Sequence, residues 1–276
     1  MAHFQSHQVQ SSKNSKMIMS TFVFPTISLE RNPDSHIRSL PDLVEFHIKN
    51  NPQHLFCIQA KKPSSEDDAH LFTPVSYKRL EQAILRCQSW LKNNAPSIYN
   101  SSLGDGQISR SCPPVAILME SHVGLAVFIL TLMGMGIPVV LLSTRLSPLA
   151  IKHLMQVTGT RHVIVSQRLA SQISEANSIG DQKPEHESSL GVHVAASYEE
   201  FLDEGNIQHG QVAYSNHFVS EEDRNALILH SSGTSGLPKP IYCAHRHFLG
   251  FAMCHDLSTS EMHGLTLSTS PFFHVS

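Results

Sequence analysis

The sequence predicts an α/β fold, and three observations carry that reading. Short apolar runs with β-branched residues alternate along the chain with stretches of helical periodicity, the order that builds strands connected by helices. The 276 residues are 41% hydrophobic, enough for a sizeable core in one large domain or two small ones. Val115–Met119 followed by the uncharged run Val123–Leu142 gives strand, helix and strand in succession, the arrangement that covers parallel sheets on both faces. No internal repeat is visible.

Residues 1–20 are polar and are expected to form a disordered tail, with residues 21–276 as the folded part. They lack the apolar core of a secretory signal, and with Lys13 and Lys16 but no arginine they make a poor transit peptide. From Ser39, SLPDLVEFHIKNNP sets Leu40, Leu43, Val44, Phe46 and His47 near helical spacing with Pro41 suited to a first turn. Leu55–Ile58 reads as a short buried strand, and residues 61–68, KKPSSEDD, as a charged loop. Ser76 then caps a helix that carries Leu80, Ala83, Ile84, Cys87, Trp90 and Leu91 on one face. Asn93–Pro114, rich in Ser, Gly, Asn and Pro, is expected to be a surface excursion.

The run Val123–Leu142 is 20 residues long without a charge, which meets the length rule for a membrane span. Gly134, Gly136 and Pro138 argue against a span, because together they end a helix and leave Val139–Leu142 as a strand. A buried helix and a buried strand are expected, with no membrane span. Ser147–Gly159 opens on Ser-Pro, keeps helical periodicity and ends on glycine, and His162–Ser166 follows as a strand. Residues 167–222 are the least informative, although Ser197–Leu202 has the form of a short capped helix. Ala226–Leu229 is a strand that runs directly into a glycine-rich loop.

Charge and cysteine usage narrow the function. A formal charge of -3 with 16% charged residues offers no basic field for nucleic acid, so small-molecule chemistry is favoured and no nucleic-acid partner is expected. The five cysteines are scattered with no CxxC pair, which points to a reducing, cytoplasmic setting. Nineteen histidines include no HExxH-like spacing, and no metal-ligating set is assigned.

The chemistry concentrates in residues 230–240, HSSGTSGLPKP. Gly233 and Gly236 let backbone N–H groups turn toward an anion, the hydroxyls of Ser231, Ser232, Thr234 and Ser235 add donors, and Lys239 adds a point charge. This is a phosphate-binding composition. It is not a Walker A loop, since Lys239 stands three residues after Gly236, and it is not a GxSxG elbow, since Leu237 occupies the final glycine position. A Ser/Gly/Pro cluster after a strand can be a mere turn, but nine fixed positions of this kind favour a functional loop.

SSGTSGLPK closely resembles the phosphate-loop signature of the adenylate-forming (AMP-binding) superfamily, which includes acyl-CoA synthetases, luciferase-like ligases and the adenylation domains of nonribosomal peptide synthetases. VSYKRLEQAILRCQSWL is similar to an early family helix, Gly124–Thr158 to the helix, strand and helix after it, and SPFFHVS to a later P-x-F-H motif near the substrate pocket. The resemblance runs over about residues 40–276 in family order. Where the family usually has glycine after the lysine, Pro240 stands here, as in fungal synthetase-like reductases that join an adenylation, a carrier and a reductase domain. Proline fixes φ and removes one N–H donor.

The resemblance implies part of the large N-terminal domain of an adenylate-forming enzyme, with mixed sheets flanked by helices. It implies an acid-thiol ligase type of activity: a carboxylate is activated with Mg-ATP to an acyl-adenylate and pyrophosphate, then passed to a thiol of coenzyme A or of a carrier protein, whose phosphopantetheine would sit on a downstream domain. Ser231, Ser232, Gly233, Thr234, Ser235, Gly236 and Lys239 would hold ATP, and His274 would line the substrate pocket. His245 matches a common family position with packing as the competing role. No catalytic residue is assigned. The family's Tyr-Gly-x-Thr-Glu segment, ribose-binding aspartate and C-terminal catalytic lysine find no counterpart before Ser276, so the chain is expected to be an N-terminal part, incomplete for catalysis and with apolar surface left uncovered. The alternative is an inactive remnant or a nucleotide-binding module without ligase turnover.

Overall fold

The computed structural model describes residues 22–27, 37–60, 72–101, 112–179, 190–203, 225–231 and 236–254. The expected tail at residues 1–20 and the charged loop at 61–68 lie outside the described residues. In chain order the elements are α1 (Leu40–Asn50), β1 (Leu55–Ala60), β2 (Phe72–Ser76), α2 (Tyr77–Asn94), α3 (Pro96–Ser101), β3 (Val115–Leu118), α4 (Val123–Gly134) and β4 (Val139–Leu141). There follow α5 (Pro148–Thr158), β5 (His162–Val165), a 3-10 turn at Gln167–Leu169, α6 (Ala170–Ser178), β6 (Gly191–Val194), α7 (Tyr198–Leu202), β7 (Asn225–His230), β8 (Pro240–Ala244) and α8 (His245–Cys254).

The main sheet has six strands in the order β6-β5-β3-β4-β7-β8. Every neighbouring pair is parallel except β7 with β8, which is antiparallel, so the sheet is mixed as the resemblance implies. β1 and β2 pair antiparallel as a separate two-stranded sheet. The strand period of two sorts the core into two layers. Val115, Ile117, Val139, Leu141, Leu227 and Leu229 face one core with α2 and α4 residues such as Leu80, Ile84, Val127 and Phe128. Ala116, Leu118, Val140, Leu142 and Ile228 face the other, against Ile151, Leu154 and Met155 of α5 and Ile173 of α6. Burial on both faces explains why β3 and β4 read as continuous apolar runs.

The capped helices form where the sequence places them. Ser39 accepts the Asp42 N–H while the Asp42 carboxylate accepts the Ser39 N–H, closing a capping box at α1. Ser76 Oγ accepts the Arg79 N–H at 3.2 Å, and Ser147 Oγ the Ala150 N–H at 3.3 Å. α5 stops at Gly159, whose φ of 69° is the left-handed C-cap conformation that glycine adopts without strain. α4 is apolar all round because both flanks are covered; Phe128 packs edge-on against Trp90 and Phe201 at ring distances of 5.4 and 5.3 Å. Its 12 residues make about 18 Å, and no helix among the described residues is long and apolar enough to cross a membrane.

The structure also adds elements. The polar stretch after α2 holds the short helix α3, anchored by the buried Ile98. α6 and β6 arise within residues 167–222, β2 precedes the Ser76 cap, and β8 follows the loop. Large exposed apolar side chains include Leu237, Ile241 and Tyr242 near and on β8, and Phe251 and Met253 on α8.

Far from the loop, Phe22 and Val23 meet the end of α1, with the Phe22 ring 5.3 Å from that of His47. Asn51, 1% exposed, accepts the Val23 N–H and donates to the Val23 carbonyl, both at 2.7 Å, which fixes its amide orientation. The same Nδ2 is 2.9 Å from His47 Nδ1, so that ring nitrogen accepts. His47 stacks on Tyr77 at 4.8 Å. Burial, with His54 adding a smaller push, holds the His47 ring below the ordinary histidine value.

Candidate functional site

The loop of interest joins β7 to β8 at the carboxyl end of β7, the side of a parallel sheet where ligands collect. The register places His230 opposite Pro240. Pro240 has no N–H to give a ladder, and it stands at the first residue of the edge strand, where proline is tolerated. Two bonds close the neck of the loop: Ser231 donates its N–H to the Lys239 carbonyl at 3.0 Å, and Lys239 donates its N–H to Ser231 Oγ at 3.0 Å. The Ser231 hydroxyl is therefore an acceptor at the neck and keeps its proton for a second partner.

Gly236 has φ of 153°, a conformation that side chains rarely adopt, and a Cβ there would meet nothing within 4 Å. Glycine is required by the backbone angle and not by crowding. Pro238 is buried and Lys239 exposed, so the chain is pinned one residue before its cation. Ser231, Gly236 and Lys239 are thus gathered in one hairpin. Ser232, Gly233, Thr234 and Ser235 lie outside the described residues, as does His274.

The electrostatic setting is one-sided. From Asn225 to Cys254 the chain has no Asp or Glu, while Lys239 and Arg246 supply positive charge, which suits a polyanion. On β8, burial raises the Cys243 thiol above its ordinary value. Among the described residues no group of three or more His, Cys, Asp or Glu side chains could hold a metal ion.

Two features were not legible from the motif. His230 reaches across to the loop after β4, where its Nε2 lies 3.1 Å from the Ser143 N. His230 heads the HSSGTSGLPKP segment without a role of its own there, and Ser143 carries no motif signal; only the pairing of β4 with β7 brings them together. At the carboxyl ends of β3 and β5, Glu120 and Arg168 form an ion pair at 2.5 Å, and β3 and β5 connect onward in opposite directions across the sheet. Burial pushes the Glu120 carboxyl up, but backbone hydrogen bonding and Arg168 outweigh it and hold the group below the usual carboxylate value. His245, in contrast, is 2% exposed, and its Nδ1 accepts the Leu40 N–H at 3.3 Å. The structure gives it the packing role, tying α8 to the start of α1.

Comparison with known proteins converges on one family. Residues 101–276 match the family model described as AMP-binding enzyme. An adenylate-forming reductase of Aspergillus terreus is 37% identical over 243 residues, covering 86% of this chain and 22% of the relative. An adenylate-forming reductase of Stachybotrys bisbyi is 37% identical over 255 residues, covering 90% of this chain and 22% of the relative. The chain therefore spans about one fifth of the length of these curated relatives. Among solved structures, the inhibitor-bound N-terminal domain of FACL13 from Mycobacterium tuberculosis superposes with a TM-score of 0.51 at 20% identity, covering 76% of this chain and 45% of that one; the likeness is one of fold.

Proposed function

The chain belongs to the AMP-binding enzyme family, and on that premise we propose that its β7–β8 loop grips the phosphates of ATP during the activation of a carboxylate. The observation that carries the proposal is the closed neck: Ser231 and Lys239, the first and last residues of SSGTSGLPK, bond to each other at the carboxyl end of β7, with Lys239 exposed.

In the reaction, a substrate carboxylate oxygen forms a bond to the α-phosphorus of ATP while the bond from that phosphorus to the α,β-bridging oxygen breaks. The electron pair leaves with pyrophosphate, so negative charge builds on the β- and γ-phosphates. A fixed cation and oriented donors at that place stabilise the departing charge. Lys239 supplies the cation, and the hydroxyls of Ser231, Ser232, Thr234 and Ser235, with the backbone freedom that Gly233 and Gly236 confer by residue type, supply donors. Mg²⁺, which the family implies, would neutralise phosphate charge. The hairpin and α8 carry no Asp or Glu, so from this part of the chain only hydroxyl groups would be available to help hold it.

The acyl-adenylate would then pass its acyl group to a thiol, of coenzyme A or of a phosphopantetheine arm, with His274 near the acyl pocket. A cytoplasmic setting, where ATP is abundant, fits this reading.

Carboxylate-dependent exchange of labelled pyrophosphate into ATP tests the proposal. Saturable Mg-ATP binding that Lys239→Ala weakens, without exchange, is the outcome expected of a phosphate grip that is incomplete for catalysis. Exchange that depends on an added carboxylate and collapses in Lys239→Ala would show instead that these residues suffice for adenylation. Failure to bind Mg-ATP sinks both.

A further inference from the structure

His230 is the last residue of β7, and its ring makes two contacts whose polarity is settled by the partners. The Ser143 backbone nitrogen, 3.1 Å from Nε2, can only donate, so Nε2 accepts. The Ser231 carbonyl oxygen, 3.0 Å from Nδ1, can only accept, so Nδ1 carries the proton. The two contacts together admit one neutral tautomer. An imidazolium has no lone pair for Ser143, and the opposite tautomer satisfies neither partner.

The groups joined in this way sit where the sheet delivers them. β4 and β7 are parallel neighbours, with Val140 opposite Ile228, so Ser143 and His230 emerge side by side at their carboxyl ends. Ser143 is 7% exposed, and its hydroxyl accepts the Arg145 N–H at 3.2 Å, turning the chain toward the Ser147 cap of α5. On the far side, Ser231 bonds Lys239 through both its N–H and its hydroxyl. An unbroken line of hydrogen bonds therefore runs from the loop before α5, through the His230 ring, to the residue that presents Lys239.

We propose that His230 is a positioning residue for the anion-binding loop: its neutral ring braces the neck of the loop against the buried Ser143 amide, which holds Lys239 in place before any ligand arrives. The brace touches no phosphate. Its functional half rests on the phosphate-gripping reading above, whereas its structural half does not. Losing the ring leaves the Ser143 N–H buried without an acceptor and frees the Ser231 peptide to rotate.

The test compares His230→Ala, His230→Gln and His230→Asn with the unaltered chain, using Mg-ATP as the probe in calorimetric titration and amide hydrogen exchange as the second readout. A glutamine oxygen reaches the place of Nε2 and restores the Ser143 link. An asparagine amide reaches the place of Nδ1 and restores the Ser231 link. The expected result is about tenfold weaker Mg-ATP binding in His230→Ala, with Gln and Asn in between. Exchange is expected to quicken at the Ser143 amide in His230→Ala and in His230→Asn but not in His230→Gln. Equal losses in all three variants would show that ring volume matters and the hydrogen bonds do not, and would overturn the proposal. So would unchanged binding in His230→Ala, or unchanged exchange at Ser143. If the unaltered chain does not bind Mg-ATP, the phosphate reading fails by itself; quickened Ser143 exchange in His230→Ala would then still support the brace, and unchanged exchange would end it.

Discussion

Individual residues divide between those that hold charge and those that hold backbone. Gly236 belongs to the second group: its φ of 153° with open space around a would-be Cβ means that alanine suffers only from the backbone angle. Gly236→Ala is expected to cost about 1–3 kcal/mol locally, to weaken Mg-ATP binding by shifting the loop, and to leave the melting temperature of the core within a few degrees. Calorimetry beside a thermal melt reads both; a large fall in melting temperature with unchanged affinity would contradict this division of labour. Asn51 is the converse case, far from the loop. Asn51→Ala removes two bonds to the Val23 backbone and the donor to His47, and is expected to lower stability by about 1–3 kcal/mol in chemical denaturation without altering nucleotide affinity. The residues of the loop were legible in the sequence because glycine, hydroxyl and lysine at fixed spacing have few other uses. His230 and Ser143 were not, because they stand 87 positions apart and their meeting depends on strand pairing.

At the scale of elements, caps and apolar runs decide what forms. α1, α2 and α5 were readable from Ser39, Ser76 and Ser147 with the periodic residues behind them. β3, β4 and β5 were readable because burial on both faces demands continuous apolar sequence. β6 and β8 were not. Each is an edge strand, partly exposed, one with the mixed sequence GVHV and the other opening on a proline. α3 hid in a polar stretch because a single side chain, Ile98, anchors it. Two substitutions test this level. Ser147→Ala removes the α5 cap and is expected to cost about 1 kcal/mol. Phe128→Ala opens a cavity under Trp90 and Phe201 in the larger core and is expected to cost about 3–5 kcal/mol. Equal costs in urea titrations would mean that α4 is not packed as described.

For the whole molecule, the mixed sheet places a polyanion-suited loop at one carboxyl edge, and four further histidines lie away from it. His47, His122, His162 and His193 all have their values lowered, with burial the largest cause in each. A histidine whose folded value lies below its unfolded one binds fewer protons when folded, so stability is fully present above the unfolded value of 6.5 and is lost as pH falls through the folded values. Melting temperature is accordingly expected to drop as pH is taken below that point; a melting temperature that stays level or rises on acidification would contradict the lowered histidine values.

The central claim is that the hairpin closed by Ser231 and Lys239 is a grip for the phosphates of ATP. Its most direct test is calorimetric titration of Mg-ATP into the unaltered chain and into Lys239→Ala, both shown to be folded. Saturable binding that Lys239→Ala weakens by about ten- to a hundredfold, the worth of one charge-assisted hydrogen bond, is the predicted result. Absence of binding, or identical affinity in the two chains, would contradict it.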